Sequence, residues 1–366
     1  MIEYESLAKS NEQFMSELEA AAARVIRSGW YVLGQEVSAF EAEFAQYIGA
    51  KHCIGVANGL DALILSIEAL DLPKGSDILV ASNTYIATIL AIVRAGHRPI
   101  LVEPDAATFN LDPELLVQAL TPATRAICVT HLFGKACRMN AISAFAGEHG
   151  LKLVEDCAQS HGARFGGQMT GTFGDAGCFS FYPTKNLGAV GDAGAVVTND
   201  DALADRLRHT RNYGSKQKYV NRYVGVNSRL DEIQAALLRV KLRQLDTMTA
   251  HKRALAEAYF ASLPDWVIKP TRSSDEYDVF HIYGIRHPQR DALRQHLLDH
   301  GVKTEVHYPI APHRQEAMKG ILSGEYPLAD ELCGTELSLP ISGGHQVADI
   351  EKVARVMGQF GAVIRR

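Results

Sequence analysis

The sequence lacks the patterns that would place it in several large classes of protein. Its six cysteines form no CxxC pair, and its formal net charge of -5 gives no overall attraction to nucleic acid or anionic membranes. No apolar run reaches the length of a membrane span, and the first residues lack the basic start and apolar core of a secretory signal. We therefore expect a cytoplasmic protein with reduced thiols that binds neither nucleic acid nor membrane.

Common ligand-binding fingerprints are also missing. The chain has neither a GxGxxG loop nor a GK[ST] loop, which argues against a dinucleotide or ATP site. His281, His307 and His313 lie in one region, but no pair among them has the i, i+4 spacing of a zinc-binding helix, so we predict no metal site. The chain does have 366 residues, 47% apolar and 22% charged, which is enough for a large buried core.

Hydrophobic periodicity divides the chain into two units. Two amphipathic helices within residues 1–50 precede short apolar runs that alternate with helical stretches, which predicts crossover units and a mainly parallel sheet. We expect a large domain over 1–245 and a small α+β domain over 246–366. A long helical pattern over 229–262 lies between them. The expected strands are 53–57, 78–81, 100–103, 126–130, 151–155, 178–181, 193–198, 279–286 and 303–306.

One lysine stands in an unusual loop. Lys185 follows aromatic residues at the end of the predicted strand 178–181 and precedes three closely spaced glycines. A lysine is ordinarily a surface charge, but this context favours a desolvated amine with a lowered pKa, able to form a Schiff base. Asp156 ends the strand 151–155, where parallel sheets place functional side chains, although a helix cap or turn residue is the simpler interpretation.

A possible phosphate site follows the first strand. Asn58-Gly59-Leu60 opens a helix, so its N–H groups and the helix dipole face an anion, although one glycine before a helix is a weak signal. Tyr85 follows the second strand and offers a flat ring at the same edge of the sheet, or simply a packing aromatic.

In combination these segments resemble the DegT/DnrJ/EryC1/StrS family of sugar aminotransferases. The family has the α/β fold of aspartate aminotransferase (PLP fold type I), with a large domain around a mainly parallel sheet and a small α+β domain. The resemblance extends over essentially the whole chain, from GWYVLG to His307-Tyr308-Pro309. Its motifs are NGLDAL (58–63), EDCAQSHGA (155–163), SFYPTKNLGAVGDAGAV (180–196) and NSRLDEIQAA (227–236).

The resemblance implies a cofactor and the residues that bind it. Pyridoxal 5'-phosphate (PLP) would form a Schiff base with Lys185, and Asp156 would pair with the pyridine nitrogen so that the ring stays an electron sink. Most relatives carry Thr where Leu60 stands, which leaves only a backbone N–H there for the phosphate. Asn227 would come from a neighbouring subunit, so a homodimer would share its active sites. Other residues expected at the cofactor are Gly59, Leu60, Tyr85, Gln159 and Ser180.

The resemblance also implies a substrate. The lysine loop is similar to that of the branch that transfers the amino group of L-glutamate to C3 of a nucleotide-linked 3-keto-6-deoxyhexose, with dTDP as the expected nucleotide. The product would be a 3-amino-3,6-dideoxyhexose for a surface polysaccharide such as O-antigen, or for a natural product. A UDP-linked 2-acetamido-3-keto-uronic acid and a 4-keto sugar are alternatives. Candidate substrate contacts are Tyr31, Lys218, Arg229, His307, Tyr308 and His313.

Other functions stay open on the sequence. A cysteine desulfurase on this fold would need an exposed cysteine, for which Cys137 and Cys333 are candidates. A non-enzymatic regulator would be expected to lose the cofactor residues, which are all present here. An amino-acid aminotransferase would need an arginine in the small domain for the substrate carboxylate; the candidates are Arg272, Arg286, Arg290 and Arg294.

Overall fold

The computed structural model describes residues 1–217 and 219–364. The strands in chain order are His52–Val56 (β1), Asp77–Ala81 (β2), Arg98–Val102 (β3), Thr124–Thr130 (β4), Lys152–Asp156 (β5), Arg164–Phe165 (β6), Gln168–Met169 (β7), Ala176–Ser180 (β8), Gly194–Thr198 (β9), Ser215–Gln217 (β10), Val220–Asn221 (β11), Glu276–Tyr277 (β12), Tyr283–Arg286 (β13) and Glu336–Leu339 (β14).

The α-helices are Leu7–Asn11 (α1), Met15–Ser28 (α2), Gln35–Ile48 (α3), Gly59–Ala69 (α4), Ile86–Arg94 (α5), Leu116–Ala119 (α6), Met139–Glu148 (α7), Asp201–Thr210 (α8), Glu232–Leu242 (α9), Leu245–Ser262 (α10), Arg290–Asp299 (α11), Pro327–Thr335 (α12) and Val347–Ile364 (α13). Short 3-10 helices cover Glu12–Phe14, Pro113–Leu115, Leu132–Gly134, Pro312–Arg314 and Glu316–Met318. Within the residues described, no helix combines the length and apolar character needed to cross a membrane.

Seven strands form the central sheet, in the order β1, β9, β8, β5, β4, β2, β3. The pairs from β8 through β5, β4 and β2 to β3 are parallel, whereas β9 runs antiparallel to both β1 and β8. The expected mainly parallel sheet is therefore confirmed. The two β-like runs near 178–181 and 193–198 form an antiparallel pair, and the loop between them carries Lys185.

Helices cover both faces of this sheet. In β2, Val80 enters the core beneath α4, α5 and α8, while its neighbour Leu79 enters the core beneath α7 on the opposite face. Successive side chains of a strand point to opposite faces, so a strand buried on both sides is mainly apolar. All five residues of β2 are buried; four are apolar, and the first, Asp77, pairs with Arg98.

A second core lies apart from the sheet. It joins α10, α11 and α13 to the antiparallel pair β13 and β14, and Ile2 from the start of the chain packs into it. The large fully buried rings of Tyr259 and Tyr283 lie at its centre, with centroids 4.6 Å apart. The division of the chain at residue 245 stays a prediction.

Several expected elements differ from the structure. The run 279–286 is a strand only from Tyr283, because Phe280 adopts a left-handed backbone (φ 46) that no strand accommodates. Residues 303–306 form no strand, although Glu305 makes a single bridge to Ser338. The helical pattern 229–262 breaks between α9 and α10.

Candidate active site

The predicted residues meet at one edge of the sheet. Gly59 lies beyond β1, Asp156 ends β5 and Ser180 ends β8, and Tyr85 follows β2 by four residues. These strands all point the same way, so their carboxyl ends deliver side chains to a common cleft.

An anion cradle forms where α4 begins. The Asn58 side chain accepts a hydrogen bond from the Asp61 N–H (2.8 Å) and caps the helix. The N–H groups of Gly59 and Leu60 have no acceptor among the described residues. A Cβ at Gly59 would lie 2.5 Å from the Cβ of Ser180, so glycine alone permits this close approach. Two free N–H groups at a helix N-terminus beside a serine hydroxyl suit a phosphate.

Asp156 is buried and doubly hydrogen-bonded. Its Oδ2 accepts a hydrogen bond from Thr88 Oγ1 (2.7 Å), and its Oδ1 accepts one from the Ala158 N–H (3.1 Å). Burial raises the pKa of Asp156, while these two donors and the charge of Lys185 oppose the rise. The arrangement holds a carboxylate in place for a positively charged partner in the cleft.

Lys185 lies in the loop that joins the end of β8 to β9. Its Nζ is 3.4 Å from Nε2 of His281. Burial lowers the pKa of Lys185 to about 8, although the charges of Asp156 and Glu5 oppose the change. A larger fraction of the neutral amine is therefore present near neutral pH than for an ordinary lysine, as an amine nucleophile requires.

Two more lysines lie behind the same loop. Lys241 Nζ donates to the carbonyl of Gly188 (2.8 Å), and Lys252 Nζ donates to Oδ1 of Asn186 (2.9 Å). Burial lowers the pKa of both lysines to about 8 as well. A lowered pKa therefore does not distinguish Lys185 from the other two lysines. The difference is that Lys241 and Lys252 already donate hydrogen bonds to the loop itself.

Gln159, Tyr308 and Tyr85 form a polar and aromatic cluster at the same edge of the sheet. Gln159 Nε2 donates to Oη of Tyr308 (2.9 Å), and Gln159 Oε1 accepts from the N–H of Phe133 (2.6 Å). The rings of Tyr308 and Tyr85 have centroids 4.9 Å apart. The expected positions of Tyr85 and Gln159 thus lie together, and Tyr308 joins them.

Three predicted residues lie elsewhere in the single chain. Asn227 is exposed, and Arg229 donates to Oδ1 of Asn212 (2.8 Å). Tyr31 is 54% exposed and donates to the carbonyl of Ile26 (3.1 Å). None of the three contacts Lys185 or Asp156 within this chain, so their roles stay predictions.

The remaining substrate candidates have separate outcomes. His307 lies beside Tyr308, and its Nδ1 is 2.7 Å from Ser338 Oγ. His313 lies in the short 3-10 helix Pro312–Arg314, where its side chain is buried with Nε2 3.3 Å from Asp330, and its contact with the substrate stays a prediction. Lys218 lies outside the described residues.

The part of the chain that the structure describes does not supply the residues that a cysteine desulfurase or an amino-acid aminotransferase would need. Cys137 and Cys333 are both buried, so neither offers the exposed thiol that a desulfurase needs. The four candidate arginines are each paired with a carboxylate. Their partners are Glu257 for Arg272, Glu331 for Arg286, Asp291 for Arg290 and Glu305 for Arg294.

A buried group behind Asp156 has the composition of a metal site. His131, Glu155 and Cys157 bring their ligand atoms within 4.8 Å of one another. Both oxygens of Glu155 already accept hydrogen bonds from backbone N–H groups of the turn 171–174, and Oε2 lies 3.0 Å from His131 Nε2. We interpret the group as a hydrogen-bonded support for the end of β5.

Sequence reasoning missed two residues of the site. Thr88 touches Asp156 directly, and its only signal was a position one helical turn after Tyr85. His281, which lies beside Lys185, had been considered only as a metal ligand. Its place depends on the pairing of residues 279–282 with Phe133 and Gly134, which are distant in sequence, and no local pattern reveals this.

The donor set fits a phosphorylated pyridine aldehyde. The cradle at Gly59 suits its phosphate, Lys185 suits its aldehyde carbon and Asp156 suits its ring nitrogen. The ring of Tyr85 could cover its face.

Comparison with known proteins agrees with this fit. The chain matches the DegT/DnrJ/EryC1/StrS aminotransferase family over residues 12–358. A dTDP-3-amino-3,6-dideoxy-alpha-D-galactopyranose transaminase of Aneurinibacillus thermoaerophilus is 45% identical over 99% of this chain and 100% of its own length. A dTDP-3-amino-3,4,6-trideoxy-alpha-D-glucose transaminase of Streptomyces venezuelae is 45% identical over 92% of this chain and 89% of its own.

Solved structures lead to the same family. The crystal structure of DesV from S. venezuelae superposes with a TM-score of 0.95, at 42% identity over 97% of each chain. The expected fold is thereby confirmed, and the regulator alternative gives way to an enzyme. The chain belongs to the DegT/DnrJ/EryC1/StrS aminotransferase family and is a PLP-dependent aminotransferase.

Proposed function

We propose that this enzyme transfers the amino group of L-glutamate to C3 of a dTDP-linked 3-keto-6-deoxyhexose. The observation that carries the chemistry is the buried Asp156 carboxylate, whose charge acts on a Lys185 amine with a lowered pKa. The choice of C3 and of the dTDP sugar is supported by the two transaminases that are 45% identical over most of the chain, since both are named for 3-amino sugars.

Each residue of the cleft has a proposed role. Lys185 would hold the cofactor through its Nζ, and its amine would also serve as the acid and base of the site, accepting and donating a proton. Asp156 keeps the ring nitrogen protonated, and the cradle of Gly59, Leu60 and Ser180 holds the phosphate. PLP, when bound, supplies the electron sink that stabilises charge during amino transfer.

The nucleotide end of the substrate needs cations. Lys216, Arg222 and Arg229 lie in one segment, and the side chains of Lys216 and Arg222 are well exposed. Such a cluster can be a solvated surface, but flexible cations beside Asn227 also suit a diphosphate from a second subunit. The uronic acid alternative would need one further cation for its carboxylate.

We also propose a homodimer in which Asn227 reaches the partner's cofactor phosphate. Exposed apolar side chains support this, because Trp30, Val32, Val224 and Val226 are each at least 40% exposed and lie on segments near Asn227. Contiguous exposed apolar residues commonly mark an interface.

The state of the cysteines bears on the cellular compartment of the enzyme. All six cysteines are unpaired and buried. We therefore propose a reducing compartment, the cytoplasm, as the place of this reaction.

Borohydride reduction of the PLP-loaded enzyme tests the assignment of Lys185. The reduced adduct should map to the peptide that contains Lys185, because the charge of this amine acts on Asp156. Lys241 and Lys252 are the lysines most able to react in its place, since burial lowers the pKa of each to about 8, as it does for Lys185. An adduct on either of them would refute the assignment.

A substrate panel tests the sugar. With L-glutamate as donor, a dTDP-3-keto-6-deoxyhexose should give the highest kcat/KM. Mass spectrometry of the amino product identifies what each substrate yields. A higher kcat/KM for a UDP-linked 2-acetamido-3-keto-uronic acid, or for a 4-keto sugar, would contradict the proposed substrate while leaving the aminotransferase chemistry intact.

A further inference from the structure

A chain of hydrogen-bonding groups leads from a buried carboxyl to His307. Glu336 Oε1 lies 2.5 Å from Ser338 Oγ, and Ser338 Oγ lies 2.7 Å from His307 Nδ1. The other oxygen of Glu336 accepts a hydrogen bond from the His307 backbone N–H (2.7 Å). Strand β14 supplies Glu336 and Ser338, and a bridge between Ser338 and Glu305 fixes the segment that carries His307.

The Glu336 carboxyl lies in an environment that favours its neutral form. It is 1% exposed, and no described residue forms an ion pair with it. Arg290 donates to the backbone carbonyl of Glu336 and pairs with Asp291 instead. A buried carboxyl without a cationic partner is stabilised as the acid. Burial accordingly raises the pKa of Glu336 to about 8, although Ser338, the His307 N–H and Arg290 oppose the change.

The protonated Glu336 carboxyl sets the direction of every hydrogen bond from Glu336 through Ser338 to His307. The Glu336 oxygen that accepts from the His307 N–H acts as the carbonyl oxygen, so the other oxygen is the hydroxyl and donates to Ser338. The Ser338 hydroxyl then donates to Nδ1 of His307. A neutral imidazole that accepts at Nδ1 carries its proton on Nε2.

His307 Nε2 is on the side of the ring away from Ser338 and has no hydrogen-bond partner among the described residues. The ring lines a cavity of about 390 Å³ together with Thr184 and His281, next to the Lys185 loop. Burial and then the charge of Lys185 lower the pKa of His307 to about 4, so the ring is neutral at neutral pH.

We propose that Glu336 and Ser338 are positioning residues that keep the proton of His307 on Nε2, which then donates a hydrogen bond to the keto oxygen of the sugar. This proposal rests on the proposed function for the identity of the acceptor. A ketone oxygen can only accept hydrogen bonds, so the tautomer of His307 decides whether the contact forms. Ionisation of Glu336 reverses the chain: Ser338 donates to the carboxylate, His307 Nδ1–H donates to Ser338, and Nε2 becomes an acceptor.

Charged and titratable groups face this hydrogen-bond chain from several elements. Arg290 on α11 faces Glu336, and Tyr4 from the N-terminal segment faces Glu336 and is hydrogen-bonded to Ser338. Lys185 and His281 face His307, and the same cavity is also lined by Glu3, Glu5, Lys303 and Glu305. Burial, followed by the charge of Glu336, raises the pKa of Tyr4 well above its usual value. Tyr4 therefore stays a neutral phenol across the range in which Glu336 titrates.

Imidazole ¹⁵N chemical shifts of the PLP-loaded enzyme test the chain without any sugar. In the wild type, the His307 proton should sit on Nε2 at neutral pH and move to Nδ1 as the pH rises through about 8. The His307 signals are identified by their loss in His307→Gln. In Glu336→Gln the amide must offer its oxygen to the His307 N–H and its NH₂ to Ser338, so the proton should remain on Nε2 at every pH.

Two further variants separate the relay from general packing. Ser338→Ala should abolish the pH-dependent movement of the proton. Thr304→Val is the matched control, because this buried hydroxyl near His307 has no hydrogen-bond partner in the described structure, and the movement should persist. A proton on Nδ1 at neutral pH in the wild type, or movement that survives in Glu336→Gln, would overturn the relay.

Single-turnover kinetics then test the contact with the sugar. In the wild type, kcat/KM for the keto sugar with the amino form of the enzyme should fall about 10-fold as Glu336 ionises. Glu336→Gln should lack this fall, and the reaction with L-glutamate should show the same pH dependence in both. If the shifts behave as expected but this difference is absent, the relay stands and the contact with the keto oxygen is wrong. A failure of the proposed sugar would instead appear as no turnover in any variant.

Discussion

At the scale of single residues, Asp156 depends on a hydroxyl that belongs to none of the family motifs. Thr88 Oγ1 donates to Asp156 Oδ2 over 2.7 Å in a buried site. Thr88→Val removes this donor and keeps the shape of the side chain. Because a hydrogen bond to a charged group contributes about 1.5–3 kcal/mol, we expect kcat/KM for L-glutamate to fall about 10- to 100-fold.

Thr84→Val is the control for this change. Thr84 belongs to the same hydroxyl cluster and bonds Thr130 (2.8 Å), but it does not touch Asp156. The visible absorption of the bound cofactor should shift in Thr88→Val and remain unchanged in Thr84→Val, because only the first alters the carboxylate at the ring nitrogen. Equal spectra in both variants would mean that Thr88 serves packing alone.

His161 makes folding sensitive to acid. It is fully buried against Phe179 and Phe181, and burial lowers its pKa to about 3. Below pH 6.5, the ordinary pKa of histidine, His161 is protonated in the unfolded chain but stays neutral in the folded chain. The stabilisation is therefore complete above that pH and is lost, by about 1.4 kcal/mol per pH unit, as the pH falls toward 3.

Urea unfolding at a series of pH values measures this slope. His161→Gln should reduce the slope below pH 6.5 by about 1.4 kcal/mol per pH unit, because glutamine does not titrate. His300→Gln, at an exposed position, should leave it unchanged. A wild-type slope retained in His161→Gln would show that other groups cause the acid sensitivity.

At the scale of elements, a single side chain from α9 closes the N-terminus of α3. Glu232 is buried, and its carboxylate accepts hydrogen bonds from the N–H groups of Gly34 (2.7 Å), Glu36 (2.9 Å) and Val37 (2.9 Å). The amide in Glu232→Gln has only one acceptor oxygen, so at least one buried donor loses its partner. We expect the free energy of unfolding to fall by about 1–3 kcal/mol.

Denaturant unfolding at fixed protein concentration measures this loss. Glu43→Gln, in the middle of the same helix, removes a partly exposed ion pair with Arg239 and should cost less than about 1 kcal/mol. Similar losses in both variants would mean that Glu232 acts as a surface charge and not as a helix cap.

At the scale of the whole molecule, the single chain leaves part of its proposed site unused. Asn227 and Tyr31 lie away from Lys185, on a surface that also exposes Trp30 and Val226. If this surface pairs with a second copy, Lys185→Ala chains mixed with Asn227→Ala chains should regain about one quarter of wild-type activity. Half of the randomly formed dimers would then contain one intact site of two.

The readout is activity after confirmed subunit exchange, with each variant alone as the baseline. No gain over the Asn227→Ala baseline would contradict a site shared between subunits. A monomer by light scattering would contradict it independently.

Much of the large domain could be predicted because its signals are local. The strand that ends at Asp156, the glycine that opens α4 and the aromatic loop around Lys185 each lie within a few residues of the chain. Apolar runs between helical stretches imply a parallel sheet, and a parallel sheet brings strand ends together at one edge. The family resemblance added the cofactor, which these residues alone left open.

Only the tertiary structure decided which distant side chains surround those residues. Tyr308 bonds Gln159 and His281 lies beside Lys185 because segments far apart in the sequence pack together, and such separations leave no local trace. The ion pair of His313 with Asp330 is likewise a contact that its sequence neighbourhood does not reveal. The charge and tautomer of buried groups depend likewise on desolvation and on hydrogen bonds across the fold. The sequence by itself determined the order of the sheet elements and pointed to Lys185 as the reactive amine, because both signals lie within a few neighbouring residues, whereas only the packing of distant segments decided the partners that surround this lysine.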